Sequence, residues 1–300
     1  MITIHHVEWF LFILLILSTL KAGNMLFAKS KEKELKMVWE VQKNNKTSYL
    51  IGTAHYFPYS FKTSLIGFIK DVNTVIFEGP LDQENMAKVQ AAGQTGNNHA
   101  PLLEKLESRT INDISQILYP GCRRRNPYFL YDFRTRKVED PIYELTKGKK
   151  FWLAFFTLWF SFLEKKGWKY SVDLEAYNIA AELKKRIVFL ETIEEQINVL
   201  ETLSQERIVH FLKQADSWNE YMRAYVKSYL VGDLNNLKSI ARDYPNRTPA
   251  VIDRRDQIFY ERMISYLEDG SVVACLGAPH IRGVSELLRG DGFEIQKPDQ

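Results

Sequence analysis

Four short apolar runs in this chain each stop at a side chain that can ligate a metal or move a proton. Tyr49-Leu50-Ile51-Gly52 leads into Thr53-Ala54-His55, and Val75-Ile76-Phe77 stops at Glu78. Val188-Phe189-Leu190 stops at Glu191, and Val272-Val273-Ala274-Cys275-Leu276 leads into Gly277-Ala278-Pro279-His280. Imidazole with carboxylate is a donor set for zinc, manganese, cobalt or iron(II). Without cysteine ligands beside it, the set leans towards a harder divalent ion. Such an ion with open positions polarises a carbonyl and activates water. The chain carries no His-Glu-x-x-His, nucleophile elbow, P-loop or Cys-x-x-Cys, so a hydrolase built on these residues is of an unusual kind.

Taken singly, each residue has a plain structural reading. A histidine after a strand more often satisfies a local hydrogen bond than ligates a metal. Two of them, each in a Gly-x-x-His frame at a strand end, change that balance. A glycine there permits a sharp exit from the strand or a close backbone approach to a ligand. Glu78, followed by Gly79-Pro80, starts no helix at once and is better placed for chemistry than Glu191, which precedes a helical stretch from 193. Arg254 reads as an exposed charge on a helix face, whereas Arg255 reads as an inward anion clamp or carboxylate orienter, a pairing that suits the guanidinium fork.

These residues converge if the runs are parallel strands, because ligands in open α/β sheets bind beyond the carboxyl ends of the strands. Strands are expected at 37–42, 48–52, 74–78, 187–191, 271–276 and 293–296, with a polar hairpin turn at Lys43-Asn44-Asn45-Lys46. Helices are expected at 61–70, 82–90, 173–185 and 284–288, and through most of 101–166 and 193–242. Residues 93–98 read as a mobile Gly/Asn/Gln loop. Thr248 as N-cap with Pro249 at the first position opens a long helix to about residue 267. The fold class is therefore α/β, with a central mixed, mostly parallel sheet flanked by helices. A large helical insertion separates the two strand-bearing halves. Within it, residues 151–163 are apolar on every side, short for a bilayer span, and fit a buried helix, the wall of a substrate groove or a membrane contact.

The bulk properties exclude several classes. Forty basic against 37 acidic residues leave a net charge of +3, too slight to point to nucleic acid. Two cysteines, Cys122 and Cys275, make no disulfide framework. Cys275 lies in an apolar run and reads as core, and Cys122 receives no role. The cluster Arg123-Arg124-Arg125, Arg134, Arg136 and Lys137 reads as a solvated face. Its interleaved Tyr128, Phe129, Tyr131 and Phe133 leave peptide contact open. Residues 1–35 read as a signal peptide or N-terminal anchor plus linker, with membrane association through the apolar run 9–20; such a protein is exported or membrane-anchored. Met25 as the true start would instead leave it cytoplasmic. Residues 36–300 read as one domain.

From Val38 to Ile295 the chain resembles the TraB/GumN family, whose animal relatives include the Tiki metalloproteases. The landmarks are Trp39-Glu40-Val41, Gly52-Thr53-Ala54-His55, Val75-Ile76-Phe77-Glu78, Val172-Asp173-Leu174, Leu190-Glu191-Thr192, Arg255-Asp256, Gly277-Ala278-Pro279-His280 and Gly292-Phe293-Glu294-Ile295. The resemblance implies a divalent ion, manganese or cobalt, held by His55, His280 and Glu78, with zinc or iron also compatible. It implies Glu78, Arg255 and Glu191 as the catalytic companions. The implied activity is a metal-dependent hydrolase, a peptidase acting on a peptide or protein. The alternatives are a non-catalytic binder of a peptide or signal, as in pheromone shutdown, or an envelope accessory protein. Two departures stand out: Pro279 where a small residue is usual, and Asp256 where the family usually has Asn.

Overall fold

The computed structural model describes residues 31–120, 140–248 and 251–298. Strand β1 (Val38–Lys43) and strand β2 (Lys46–Thr53) form the expected hairpin, in register from Lys43↔Lys46 to Val38↔Ile51. Its two-residue turn is Asn44-Asn45, both with positive φ (52° and 58°). That backbone matches the right-handed twist of the flanking strands, and Asn tolerates it better than most residues. The remaining strands are β3 (Thr74–Phe77), β4 (Arg186–Phe189), β5 (Val272–Gly277) and β6 (Glu294–Gln296).

The sheet order is β4-β3-β5-β2-β1-β6. Strands β4, β3, β5 and β2 are mutually parallel, with Phe77 opposite both Cys275 and Phe189 and Thr53 opposite Gly277. Strand β1 is antiparallel to β2 and β6 antiparallel to β1. The four carboxyl ends that the sequence reading aligned therefore share one edge. Strands β3 and β5 are almost wholly buried, which is why they read as unbroken apolar runs without alternation.

Thirteen helices surround the sheet among the described residues. Helix α1 (Lys62–Ile69) follows β2, and α2 (Gln83–Ala92) follows β3 with Asp82 as its N-cap, accepting from Asn85 N at 3.1 Å. Helices α3 (Pro101–Glu104), α4 (Ser108–Leu118), α5 (Pro141–Thr146), α6 (Phe151–Lys165) and α7 (Val172–Glu182) fill the span before β4. After β4 come α8 (Ile193–Glu201), α9 (Gln205–Lys213), α10 (Trp218–Val231), α11 (Leu234–Ile240) and α12 (Asp253–Asp269), and α13 (Ile281–Gly290) joins β5 to β6. The helical insertion is thus crossed midway by β4.

The apolar stretch 151–163 is a buried helix. Helix α6 is enclosed by α3, α4, α5 and α9. Its Trp159 meets Phe211, Trp218 and Tyr221 at ring-centroid distances of 5.2, 5.3 and 5.8 Å in edge-on geometry, an arrangement that adds to plain area burial. No helix among the described residues is long and apolar enough to cross a membrane.

Two expectations need correction. The loop 93–98 is tied down: Thr95 N donates to Gly148 O at 2.8 Å, Lys150 N donates to Gly93 O at 2.7 Å, and Gln94 bridges Lys149. Its Gly and Asn content signalled turns, and the cross-chain backbone bonds were not visible in it. Thr248 does not open the long helix. Its carbonyl accepts from Ile252 N at 2.9 Å in a separate turn, and α12 starts at Asp253. The basic-aromatic cluster at 123–137, Cys122 and the run 9–20 lie outside the described residues.

Candidate functional site

The site is built by backbone bonds that carry the sheet past its strands. Glu191 N donates to Glu78 O at 2.7 Å, continuing the β3–β4 ladder and setting the two glutamates side by side. Ala278 N donates to Thr53 O at 2.9 Å, continuing the β2–β5 ladder. Val172 N donates to Ala54 O at 3.0 Å, hooking the start of α7 onto the exit of β2, and the Ser171 hydroxyl caps that helix through Leu174 N. This hook brings Asp173 to His55. His280 is the N-cap of α13, with its N–H on Gly277 O at 2.8 Å.

Arg255, in the first turn of α12, is the hub. Its Nε and Nη2 donate to the two oxygens of Glu191 at 2.8 and 2.7 Å, and Nη2 also donates to Glu78 Oε2 at 2.9 Å. Its Nη1 reaches His280 Nε2 at 3.4 Å. Arg255 thus meets two carboxylates and one imidazole. Both oxygens of Glu191 accept from that guanidinium. Burial works against the Arg255 charge, and the two glutamates outweigh it and raise its pKa. Burial likewise opposes the Glu78 charge. Arg255, both histidines and the Gly277 N–H outweigh it, and its pKa falls to about 2.

The Gly277 N–H donates to Glu78 Oε1 at 2.6 Å, and a Cβ on Gly277 would lie 3.1 Å from that oxygen. Close backbone approach is therefore the reason for glycine in this Gly-x-x-His frame. Gly283 has the same role one helix turn further on. A Cβ there would stand 1.9 Å from Asp256 Oδ2, so α12 and α13 can pack with Asp256 between them only because that side chain is missing.

Both histidines are backed by an aspartate. His55 Nδ1 donates to Asp173 Oδ2 at 2.9 Å, and His280 Nδ1 donates to Asp256 Oδ1 at 2.6 Å. Asp173 lifts the His55 pKa to about 9, against a smaller opposing effect of burial. Asp256 is itself raised by burial, with His280 pulling the other way. The buried ring of Phe259 closes the base of the site, 5.1 Å from the His280 ring and 4.9 Å from the Arg255 guanidinium. The sequence placed Asp173 at the start of a helix and Asp256 where Asn is usual, and joined neither to a histidine. The missed signal was the pairing of each aspartate with a strand-end histidine, which no spacing along the chain reveals. Arg254 is exposed, as expected.

His280 Nε2 lies 3.9 Å from Glu78 Oε1, and His55 is close enough to act electrostatically on Glu78. Among the described residues no three His, Cys, Asp or Glu side chains are spaced as a ready metal cage. The donor chemistry fits a divalent cation nonetheless. Each Nδ1 is engaged by a carboxylate, the arrangement that orients ligating imidazoles through Nε2. Glu78 and Glu191 share one guanidinium, and Asp173 and Asp256 each back one imidazole, so carboxylates outnumber Arg255 and the raised His55 ring and leave room for further positive charge.

The molecule is thus an α/β protein with a carboxylate–imidazole–guanidinium network at the carboxyl edge of its parallel strands. The chain matches the model of the TraB/PrgY/gumN family over residues 37–297 and belongs to that family. No curated protein and no solved structure matches it.

Proposed function

We propose that this protein is a divalent-metal-dependent hydrolase acting on a peptide or protein. The observation that carries the proposal is the pair of aspartate-backed histidines, at 2.9 and 2.6 Å, on one sheet edge with Glu78. His55 would hold the ion through Nε2, His280 through Nε2 in place of its 3.4 Å contact with Arg255 Nη1, and Glu78 through its carboxylate. Manganese or cobalt is the first expectation, and zinc or iron(II) also suits these donors. A divalent ion bound there supplies Lewis acidity and a water of lowered pKa. Asp173 and Asp256 keep the ring tautomers fixed. Arg255 stays charged, steers Glu78 and offers N–H groups to negative charge developing on a carbonyl oxygen. Glu191 holds Arg255 in place.

Metal analysis tests this on protein purified without chelator. Wild-type protein should carry metal, and His55→Ala/His280→Ala should carry at most about a tenth as much, the scale of a lost ligand. Equal metal content in the two proteins would remove the proposal. Cleavage of a peptide library with added manganese or cobalt then tests turnover.

A second reading, a non-catalytic peptide or signal binder, is favoured by one feature: both Glu78 and Glu191 are already paired with Arg255. It predicts peptide binding that chelator leaves unchanged. Two hollows among the described residues, one of about 420 Å³ lined by Glu191, Thr192 and Arg262 and another lined by Tyr49 and Phe68, include no residue of 151–163.

A further inference from the structure

Arg247 stands on the turn leading towards α12, its backbone N–H donating to Tyr244 O at 3.0 Å. Its Nε and Nη1 are buried without a hydrogen-bond partner, and the same turn carries a buried acceptor without a donor, Asn246 Oδ1. Of the other arginines, Arg255 grips two carboxylates, and Arg207 donates from Nη2 to Arg242 O and Tyr244 O at 2.7 and 3.0 Å but leaves its own Nε buried without a partner. Arg247 alone has two such nitrogens among the described arginines. A guanidinium does not escape burial by losing its proton. Left unpaired inside a protein it is strongly destabilising, and such a group calls for an explanation.

The surroundings of Arg247 are phenolic and acidic. Burial depresses the Arg247 pKa, while the phenols of Tyr225, Tyr221 and Tyr244 work the other way, as does Glu78 of the rim. Tyr225 in turn feels Asp173, the partner of His55. Tyr221 stacks on Tyr225 and Tyr244 at 6.4 and 6.2 Å. Tyr221, Tyr225 and Tyr244 thus form one stacked cluster within electrostatic reach of Arg247, and its Tyr225 also within reach of Asp173.

We propose that Arg247 and Asn246 form a subsite for a peptide carboxylate, taken by Arg247, with an adjacent amide N–H taken by Asn246. A singly charged carboxylate suits the position better than a phosphate dianion, because Glu78 and Asp173 already place negative charge on the neighbouring rim. The ligand class rests on the peptide reading above, whereas binding requires neither metal nor turnover.

Calorimetry on the full, chelator-treated chain tests it with three probes. These are N-acetyl-trialanine as the free acid, the same peptide as its amide, and the amide with a central glutamate. At least one carboxylate peptide should bind about ten- to a hundredfold more tightly than the trialanine amide, the scale of a charged hydrogen bond. Whichever wins identifies the terminal or the side-chain carboxylate as the ligand. Arg247→Gln should abolish that preference and leave amide affinity unchanged. Equal affinity of wild type for acid and amides, or an intact preference in Arg247→Gln, overturns the subsite. So does inorganic phosphate competing as well as the peptide.

Thermal unfolding of Arg247→Met guards against a structural role. An unpaired cation predicts an unchanged or higher Tm, and a fall of more than about 5 °C overturns the proposal. Selective binding without metal-dependent cleavage would leave the subsite standing and remove the peptidase. Cleavage without selectivity would do the reverse.

Discussion

His55 and His280 end the same Gly-x-x-His motif on neighbouring parallel strands, yet they occupy opposite settings. The His280 side chain is 5% exposed and that of His55 69%. His280 caps a helix and is wedged against Phe259, Asp256 and Arg255, whereas His55 stands on an open bend with one buried partner, Asp173. One half of the rim is rigidly preorganised, and the other faces solvent and can adjust.

The sharpest way to break the contrast is to remove the hub of the buried half. Arg255→Met leaves Glu78 and Glu191 buried and unpaired, and should cost about 3–5 kcal/mol in urea unfolding at pH 7. Glu78 is held at about 2 in the folded protein. Its contribution is therefore fully present above the ordinary carboxylate pKa, about 4.3, and is lost as pH falls through 2. The deficit of Arg255→Met should accordingly shrink in acid. A cost below about 1 kcal/mol at pH 7, the range of a surface pair, would show the network to be ornamental.

A direct comparison of the two imidazoles comes next. In metal-free protein His280→Ala should cost about 1–3 kcal/mol, because Asp256 is left buried without its donor. His55→Ala should cost less than about 1 kcal/mol, because water reaches the vacated side of Asp173. The reverse order would sink the division of the rim. Gly283→Ala pushes a methyl group into Asp256 and should cost about 1 kcal/mol or more, with the His280 ring resonances shifted and those of His55 unmoved.

The smallest effect is the titration of His55. Its folded pKa of about 9 exceeds the ordinary histidine value of about 6.5. Its protonated ring therefore adds stability below about 6.5, lost as pH rises through 9. Exposure of the ring screens this contribution, so it stays within about 1 kcal/mol. Proton NMR of chelator-treated protein should place the midpoint near 9, and Asp173→Asn should return it towards the ordinary range. An unshifted His55 in the parent protein would detach Asp173 from the site.

Much of this rim was legible in the sequence. Buried parallel strands must be apolar throughout, so β3 and β5 announce themselves as short apolar runs, and Glu78 and His280 stand out where those runs stop. Helix α6 was legible as a helix apolar on every side, but the choice between a buried helix, a groove wall and a membrane contact fell to the packing of Phe155, Trp159 and Phe162. Boundaries were less legible. Thr248 has the chemistry of an N-cap and caps a turn instead, and the glycine-rich loop at 93–98 is fastened by backbone groups that every residue possesses.

What the sequence determined by itself was the list of reactive residues and their place at strand ends, because periodicity and chain breakers are local properties. What the tertiary structure decided was partnership. Asp173 lies 118 residues from His55 and Arg255 lies 177 from Glu78, and nothing local joins them. Those pairs exist because the parallel ladder and the hook of α7 onto β2 bring distant backbones into register, and the exclusion of water there makes each charge depend on its partner.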